Sequence, residues 1–431
     1  MQQDNTRARS IKVLFVVVPV VALGLLLFSR SSSSDKSGHL LEDLGPPPSM
    51  TEGNVFSSSP RPGQAGQEVP WHVLPEGSYT PPYGGRGAQA WRYAADAAIN
   101  MPLSASTLFF TAQGAGLGGV LNINNDGRSG AADARVDVRM YYTAAHLAGR
   151  AQLLREQPAA GRHGLAVKTP MRCGQDERMF FDIRVHLPRG SAQQPQRVAN
   201  LESDLGNFAH VLGDLADGVQ FGRIALTGAN EPIQAKSLSA DVAQIRTSNA
   251  AVEGHYITNN KLSLNTDNGG IDAAITLTNA GGRATTLDLG ASNGEVSAAL
   301  TLLSTQQGGS GGSFAVDAQT SNGGVHLRVP EAPLDAALRL HAASAIGDVT
   351  AALPPAFEGA FALAQSFPAP EVRWDARARD PAGAGRVRAV AYAPDRNGVV
   401  VGKATWGEPG PGKVMGDVKL TTSIGNTKLV L

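Results

Sequence analysis

Between Ala199 and Thr350 apolar and polar residues alternate in short runs, and each run is closed by the same kind of turn. Leu262-Ser263-Leu264-Asn265, Thr285-Thr286-Leu287-Asp288-Leu289 and Phe314-Ala315-Val316-Asp317-Ala318 carry the period-two pattern of half-buried strands. The signature reads as a polar turn, then Gly (Ala in the first copy), one further residue and a β-branched apolar residue. It appears as Ser248-Asn249-Ala250-Ala251-Val252, Asp267-Asn268-Gly269-Gly270-Ile271 and Ser292-Asn293-Gly294-Glu295-Val296. Ser321-Asn322-Gly323-Gly324-Val325 and Ala345-Ile346-Gly347-Asp348-Val349 follow. Looser copies lie at Leu205-Gly206-Asn207-Phe208, Phe221-Gly222-Arg223-Ile224 and Ile424-Gly425-Asn426-Thr427. Successive Gly positions of the five central copies are 19, 25, 29 and 24 residues apart, the signature of a repeat architecture.

The pattern assigns directions to side chains. Val252, Ile271, Val296, Val325 and Val349 should point inward, and Glu253, Asp272, Ser297, His326 and Thr350 outward. Asn and Gly are expected to supply the positive φ of a tight turn. One such unit cannot bury its apolar face alone, so units must stack on their neighbours. An all-β, β-solenoid-like stacked strand array is the simplest reading; a twisted β-sandwich with regular turns is the alternative.

The flanks differ. Residues 1–10 read as a cytoplasmic tail and residues 11–29 as a transmembrane signal-anchor helix, apolar from Ile11 to Phe28 except for Lys12, Pro19 and Gly24. A cleaved secretory signal is the rival reading, but no small-x-small site follows Phe28. Arg7, Arg9 and Lys12 before the span, against Arg30 and Lys36 after it, put the N-terminus in the cytoplasm and the bulk of the chain outside or in a lumen. Residues 30–90 are rich in Ser, Pro and Gly and read as a disordered stalk, with Trp71, Tyr79 and Tyr83 near its end. Residues 91–190 read as an N-terminal β region capping the array, with Ala144 to Glu156 open between helix and strand, and residues 191–431 as the repeat domain. Asp395-Arg396-Asn397-Gly398 is a hairpin signal between two closing strands.

With those motifs in place the chain resembles the putative-adhesin β-solenoid domains of unknown function, in their membrane-anchored, fungal-type form. The matching elements are strands ending in Pro, Ile183 to Pro188 and Val325 to Pro330, the Asn-Gly turns, and the terminal Gly416-Asp417-Val418-Lys419-Leu420 with Ile424-Gly425-Asn426. The resemblance implies a stacked β fold at a membrane or surface. It carries no catalytic residues.

Composition narrows the chemistry. Lys plus Arg and Asp plus Glu both number 37, so the net charge is zero and there is no basic footprint for nucleic acid. Fifty Gly and 26 Pro with 17% charged residues suit a turn-rich β protein. The single Cys173 excludes an intrachain disulfide and reads as a half-buried small residue. Asn122-x-Asn124-x-Asp126-Gly127 with Asp133 has the oxygen spacing of a calcium loop, but Asn at the first position and Asp at the last favour a hairpin turn. Glu253 and Asp272 form a carboxylate pair if the coils stack in register, and Ser297, His326 and Thr350 interrupt the column. His255, His326 and His341 show no metal-ligand spacing and read as surface or turn residues. Gly114 to Gly119 leads into a strand and Gly308 to Gly312 is a loop, so neither reads as a nucleotide fingerprint.

No catalytic, cofactor-binding or metal-binding residue is assigned. The expected function is a non-enzymatic, membrane-anchored, adhesin-like surface protein whose partners are the membrane, through residues 11–29, and cell-surface or wall macromolecules. Self-association through an exposed edge stays open. The alternatives are a polysaccharide-active β-helix enzyme and a scaffold protein of an internal membrane.

Overall fold

The computed structural model describes residues 66–80, 91–174, 176–366, 368–394, 398–408 and 414–431. The segment read as a signal-anchor, residues 11–29, lies outside them, and among the described residues no helix is long and apolar enough to cross a membrane. Among the described residues the regular structure is nearly all strand. Its N-terminal strands are β1 (Gln67–Val69), β2 (His72–Val73), β3 (Tyr93–Pro102), β4 (Thr107–Gln113), β5 (Leu117–Gly127) and β6 (Asp133–Tyr142). A 3₁₀ turn (Ala145–Gly149) precedes β7 (Gln152–Ala159), β8 (Arg162–Lys168) and β9 (Met179–Pro188). The stretch left open between helix and strand thus holds both. The repeats follow as β10 (Gln196–Asp204), β11 (Phe208–Asp214), β12 (Val219–Thr227), β13 (Ile233–Thr247), β14 (Val252–Thr266), β15 (Ile271–Asn279) and β16 (Thr285–Ala291). Next come β17 (Val296–Ser304), β18 (Ser313–Asn322), β19 (Val325–Glu331), β20 (Ala337–Ile346) and β21 (Val349–Ala352). The chain ends with β22 (Gly359–Ala364), β23 (Glu371–Arg373), β24 (Arg388–Pro394), β25 (Val399–Trp406), β26 (Gly416–Ile424) and β27 (Thr427–Val430).

The pairing settles the architecture as a β-solenoid-like array of two parallel stacks. The first stack runs β5, β11, the first half of β13, the first half of β14, β15, β17, β19, β21 and β27. The second runs β4, β10, β12, the second halves of β13 and β14, β16, β18, β20 and β26. Each coil passes from the second stack through an Asn corner to the first and then returns. A sandwich of antiparallel hairpins does not describe this, because the strands within both stacks are parallel. The inward residues Val252, Ile271, Val296, Val325 and Val349 lie in one register column and are at most 1% exposed. Full burial of each such side chain is worth about 1.5–3 kcal/mol.

The uneven repeat length has a local cause. Strands β13 and β14 each pass from one stack to the other as a continuous strand, with register shifts at the bend of their pairing. Later coils insert loops at the return corner, at residues 280–284, 305–312 and 332–336. The Asn corner is never lengthened in this run, because there the turns themselves stack.

Three ladders hold the Asn corner. Asn230, Asn249, Asn268, Asn293 and Asn322 each donate a side-chain amide N–H to the preceding asparagine's Oδ1, beginning at Asn207, over 2.6–2.8 Å. Inside them, Thr247, Thr266, Thr320, Ser344 and Thr422 donate their hydroxyls to backbone carbonyls of neighbouring turns at 2.8–3.2 Å. The third ladder is glycine. A Cβ on Gly269 would meet the Ala250 carbonyl at 1.9 Å, and one on Gly294 would meet the Gly269 carbonyl at 1.7 Å. The expectation of positive φ is corrected here: among the described residues Asp335 is the one non-Gly residue with positive φ, and Gly269, Gly294 and Gly323 do not have it. Gly is needed because successive turns nearly touch. Within this glycine column, its last two members, Gly347 and Gly425, combine the close approach with positive φ, at 148° and 144°.

Both ends are closed by antiparallel strands. At the N-terminal end β3 and β6 extend the first stack beyond β9, and β7 and β1 extend the second beyond β8. Residues 66–80, within the stretch read as stalk, are therefore part of the fold. Trp71 donates its Nε1–H to the Ala151 carbonyl at 2.8 Å, and the Tyr79 ring meets Tyr141 edge-on. At the C-terminal end the chain leaves β21, builds β22 to β25 and returns. Strands β26 and β27 are then inserted between β20–β21 and β22–β23. The β24–β25 pair is antiparallel, as the hairpin signal anticipates; residues 395–397 lie outside the described residues. Arg388 is buried there, stacked 5.1 Å from the Trp406 ring and donating to the Phe357 carbonyl at 2.7 Å.

If close turn stacking dictates glycine, Gly294→Ala lowers stability by on the order of 3 kcal/mol. Gly149→Ala, with nothing within 4 Å of the added carbon, stays within about 0.5 kcal/mol of the parent. Urea unfolding followed by circular dichroism compares them, and equal midpoints would remove the packing argument.

Candidate functional site

Period-two alternation places two outward columns side by side on the first stack. The column of Glu253, Asp272, Ser297, His326 and Thr350 forms in direct register and continues to Lys428. Two residues further along each strand, His255, Ala274, Ala299, Arg328, Ala352 and Val430 form the second column. Alanines at three of those six positions leave a shallow groove of about 550 Å³ between the longer side chains.

Several polar groups of this face are tied sideways. Glu253 accepts from Gln234 Nε2 at 3.0 Å, and Tyr256 donates its hydroxyl to the Glu253 carbonyl at 2.9 Å. Burial pushes the Tyr256 hydroxyl's pKa up, so it remains a donor. His326 Nδ1 lies 2.9 Å from Thr350 Oγ1 and its Nε2 lies 3.8 Å from Glu295. His255 Nε2 lies 3.5 Å from Thr276 Oγ1. The third of the histidines singled out, His341, is on the other stack, with Nδ1 3.2 Å from Asp317 Oδ2. Glu253 and Asp272 are thus neighbours, but they project from one sheet face in the same direction. A pair of glycosidic carboxylates must instead flank the bond between them. The arrangement is a mixed-charge surface laid out in register columns.

The calcium-like spacing resolves differently from both of its readings. Asn122, Asn124 and Asp126 lie along β5, where alternate residues are about 6.6 Å apart, so their oxygens do not converge. A strand occupies the place of the hairpin turn, and the turn comes after Gly127. Asn122 donates to Asp182 Oδ1 at 3.0 Å, and Asp126 Oδ1 is 2.8 Å from His186 Nδ1. These groups belong to a cross-strand lattice on β3, β6, β9 and β5. Arg139 grips Asp96 with two bonds of 2.6 and 2.7 Å, Arg184 holds Asp182 at 2.6 Å, and His186 Nε2 stands 3.4 Å from Asp137. Among the described residues no group of three or more His, Cys, Asp or Glu is placed to hold a metal ion.

Cys173 is half-buried, its thiol 3.2 Å from the Ala115 carbonyl. Gly114 and Gly116 have positive φ and turn the chain into β5, and residues 308–312 are part of a return-corner loop.

One buried titratable group was not legible as such. His210 occupies the inward column, in register with Ile233 and therefore with Val252, and is 0% exposed. Its Nε2 lies 2.8 Å from Ser203 Oγ and its Nδ1 3.1 Å from the Phe208 carbonyl. Period-two counting from Phe208 puts it inward, which was the available signal.

Burial pushes the His210 pKa down to about 4, against a smaller upward pull from the Phe208 carbonyl. Between that value and the unfolded value of about 6.5 the unfolded chain binds a proton that the fold excludes. Stability is therefore full above about pH 6.5 and falls as the pH drops toward 4. At pH 4.5 the loss from this one residue reaches about 2.5 kcal/mol. The double variant Ser203→Ala/His210→Leu, which removes the ring and its hydroxyl partner together, should show a shallower decline between pH 7 and pH 4.5. Parallel acid limbs in the two proteins' denaturation curves would refute the assignment.

A family described as a domain of unknown function (DUF7330) matches residues 242–368, the run of coils from β13 to just past β22. Among curated proteins none matches. Among solved structures the chain is similar to a "putative cell adhesion protein" from Clostridium sporogenes, at 11% identity, with 78% of this chain and 99% of that chain covered and a TM-score of 0.20. It is also similar to a "putative adhesin" from Parabacteroides merdae, at 10% identity, with 57% of this chain and 92% of that chain covered and a TM-score of 0.27.

Proposed function

We propose that the chain is a membrane-tethered, adhesin-like surface protein whose work is contact rather than catalysis. The observation that carries this reading is the outer face itself. Register columns set one outward side chain per coil at about 4.8 Å along the array. The stacked turns hold that face in register, and its charged groups are spread along the columns rather than gathered around one point. The apolar segment at residues 11–29 supplies the anchor, and the Ser/Pro/Gly-rich residues after it supply reach. The partners are cell-surface or wall macromolecules met by a mixed-charge face. Zero net charge fits no role on nucleic acid.

The test is topology. Leu431 is 8% exposed and its N–H is bonded to the Arg373 carbonyl at 2.9 Å, so a tag at the C-terminus competes with the last coil. An epitope inserted between Gly308 and Gly309 sits in an exposed loop instead. Staining of intact cells is the expected result. Staining only after permeabilisation would replace this reading with a scaffold of an internal membrane, and epitope in the medium would make residues 11–29 a cleaved signal.

A further inference from the structure

The two outward columns have an internal symmetry about β17. One coil to either side of Ser297 stand Asp272 and His326; one coil to either side of Ala299 stand Ala274 and Arg328. Two coils out, Glu253 is matched by Thr350, and His255 by Ala352. An acid on one side thus corresponds to a base or a hydroxyl on the other, and a long side chain corresponds to an alanine. Arg328 is exposed and has no ion-pair partner among the described residues. Asp272, Ala274 and Ala299 are exposed as well.

From this we propose that the face is a homotypic docking surface whose occupant is a second copy of the same face. A two-fold axis along the strand direction over β17 reverses the order of coils. It puts Asp272 of one copy against His326 of its partner, and Arg328 of each copy above Ala274 of the other. The small Ala274 leaves room for the guanidinium to reach the adjacent Asp272 carboxylate, a charge-assisted pair formed twice by symmetry. Ser297 and Ala299 meet their own equivalents at the axis. Within the two columns no like charges are opposed; Glu295, at the corner before β17, faces its own equivalent across the axis and is held toward His326 at 3.8 Å. An acidic, a basic or a purely apolar partner would each leave part of the two columns unmatched, whereas a second copy sets Asp272 opposite His326 and Arg328 opposite Ala274, twice.

The extent of the face sets the strength. Five strands at about 4.8 Å by four residues at about 3.3 Å give about 300 Å² per copy. A stable dimer buries about 800 Å² per partner. The contact is therefore weak in solution and becomes significant where copies are concentrated, as on a membrane surface. This inference concerns the described face and stands whether or not residues 11–29 prove to be an anchor.

Disulfide trapping reads a weak symmetric contact directly. The full chain, held in detergent micelles, carries Cys173→Ser and Ser297→Cys, so that the only thiols meet at the axis. Mild oxidation should give a covalent dimer, whereas Ser263→Cys, on the opposite stack, should give at least tenfold less. Adding Arg328→Glu or Asp272→Arg alone should suppress the dimer about tenfold, because each places like charges together twice. Mixing the two variants should restore it, because the mixed pair is complementary at both contacts. Circular dichroism and thermal melting of each variant separate loss of contact from loss of fold. Equal trapping at positions 297 and 263, or no recovery on mixing, overturns the proposal.

Discussion

The fold depends on how closely one turn can lie on the next. In a parallel stack each coil must repeat the path of the one before it at strand spacing, corners included. At the Asn corner the backbone comes so near the preceding turn that no Cβ fits at Gly269, Gly294 or Gly323. That approach brings the Asn side chains within 2.6–2.8 Å of each other and the Thr hydroxyls within reach of the turn carbonyls. Each net bond is modest, about 1 kcal/mol. The repetition fixes the register, since a slip of one residue would break every rung and send Val252 and its equivalents to solvent. The Asn ladder stops at Asn322, and Ile346 and Ile424 continue its column, exposed by 51% and 65%.

The two corners divide the labour. The Asn corner is invariant in length through the central coils, so it carries the register. The return corner absorbs insertions from none in β13 and β14 to eight residues at 305–312 without disturbing the strands on either side. The largest insertion, between β21 and β26, is used to close the array. By seating β26 and β27 inside the strands that precede them, the chain buries Leu420 and Leu429 completely. It also leaves antiparallel β24 and β25 to finish the second stack.

The outer faces follow from the same register. Once inward positions are fixed, outward side chains fall into straight columns whose neighbours come from residues 19 to 29 apart in sequence. On the N-terminal coils the columns close into ion pairs, as between Arg139 and Asp96. On the central coils alanines open a groove in which Arg328 stands without a partner among the described residues.

The sequence by itself determined the strands of the central coils, their inward column and the place of every corner from Ser248 to Val349. Alternation and turn chemistry are local and survive in one dimension. It did not reveal that the Asn amides bond to one another, that Gly is set by packing rather than by φ, or that His210 is sealed in the core. Each of those depends on what lies one coil away, a distance of about 4.8 Å in space and some 20 to 30 residues in the chain. Likewise Asn122, Asn124 and Asp126 have the spacing of an ion loop, but the pairing of β5 with β9 and β11 holds them extended. The order of β26 and β27 was beyond local pattern altogether. Only the tertiary fold decides that the last strands pair inside the earlier ones, because that choice is made by two unpaired edges meeting in space.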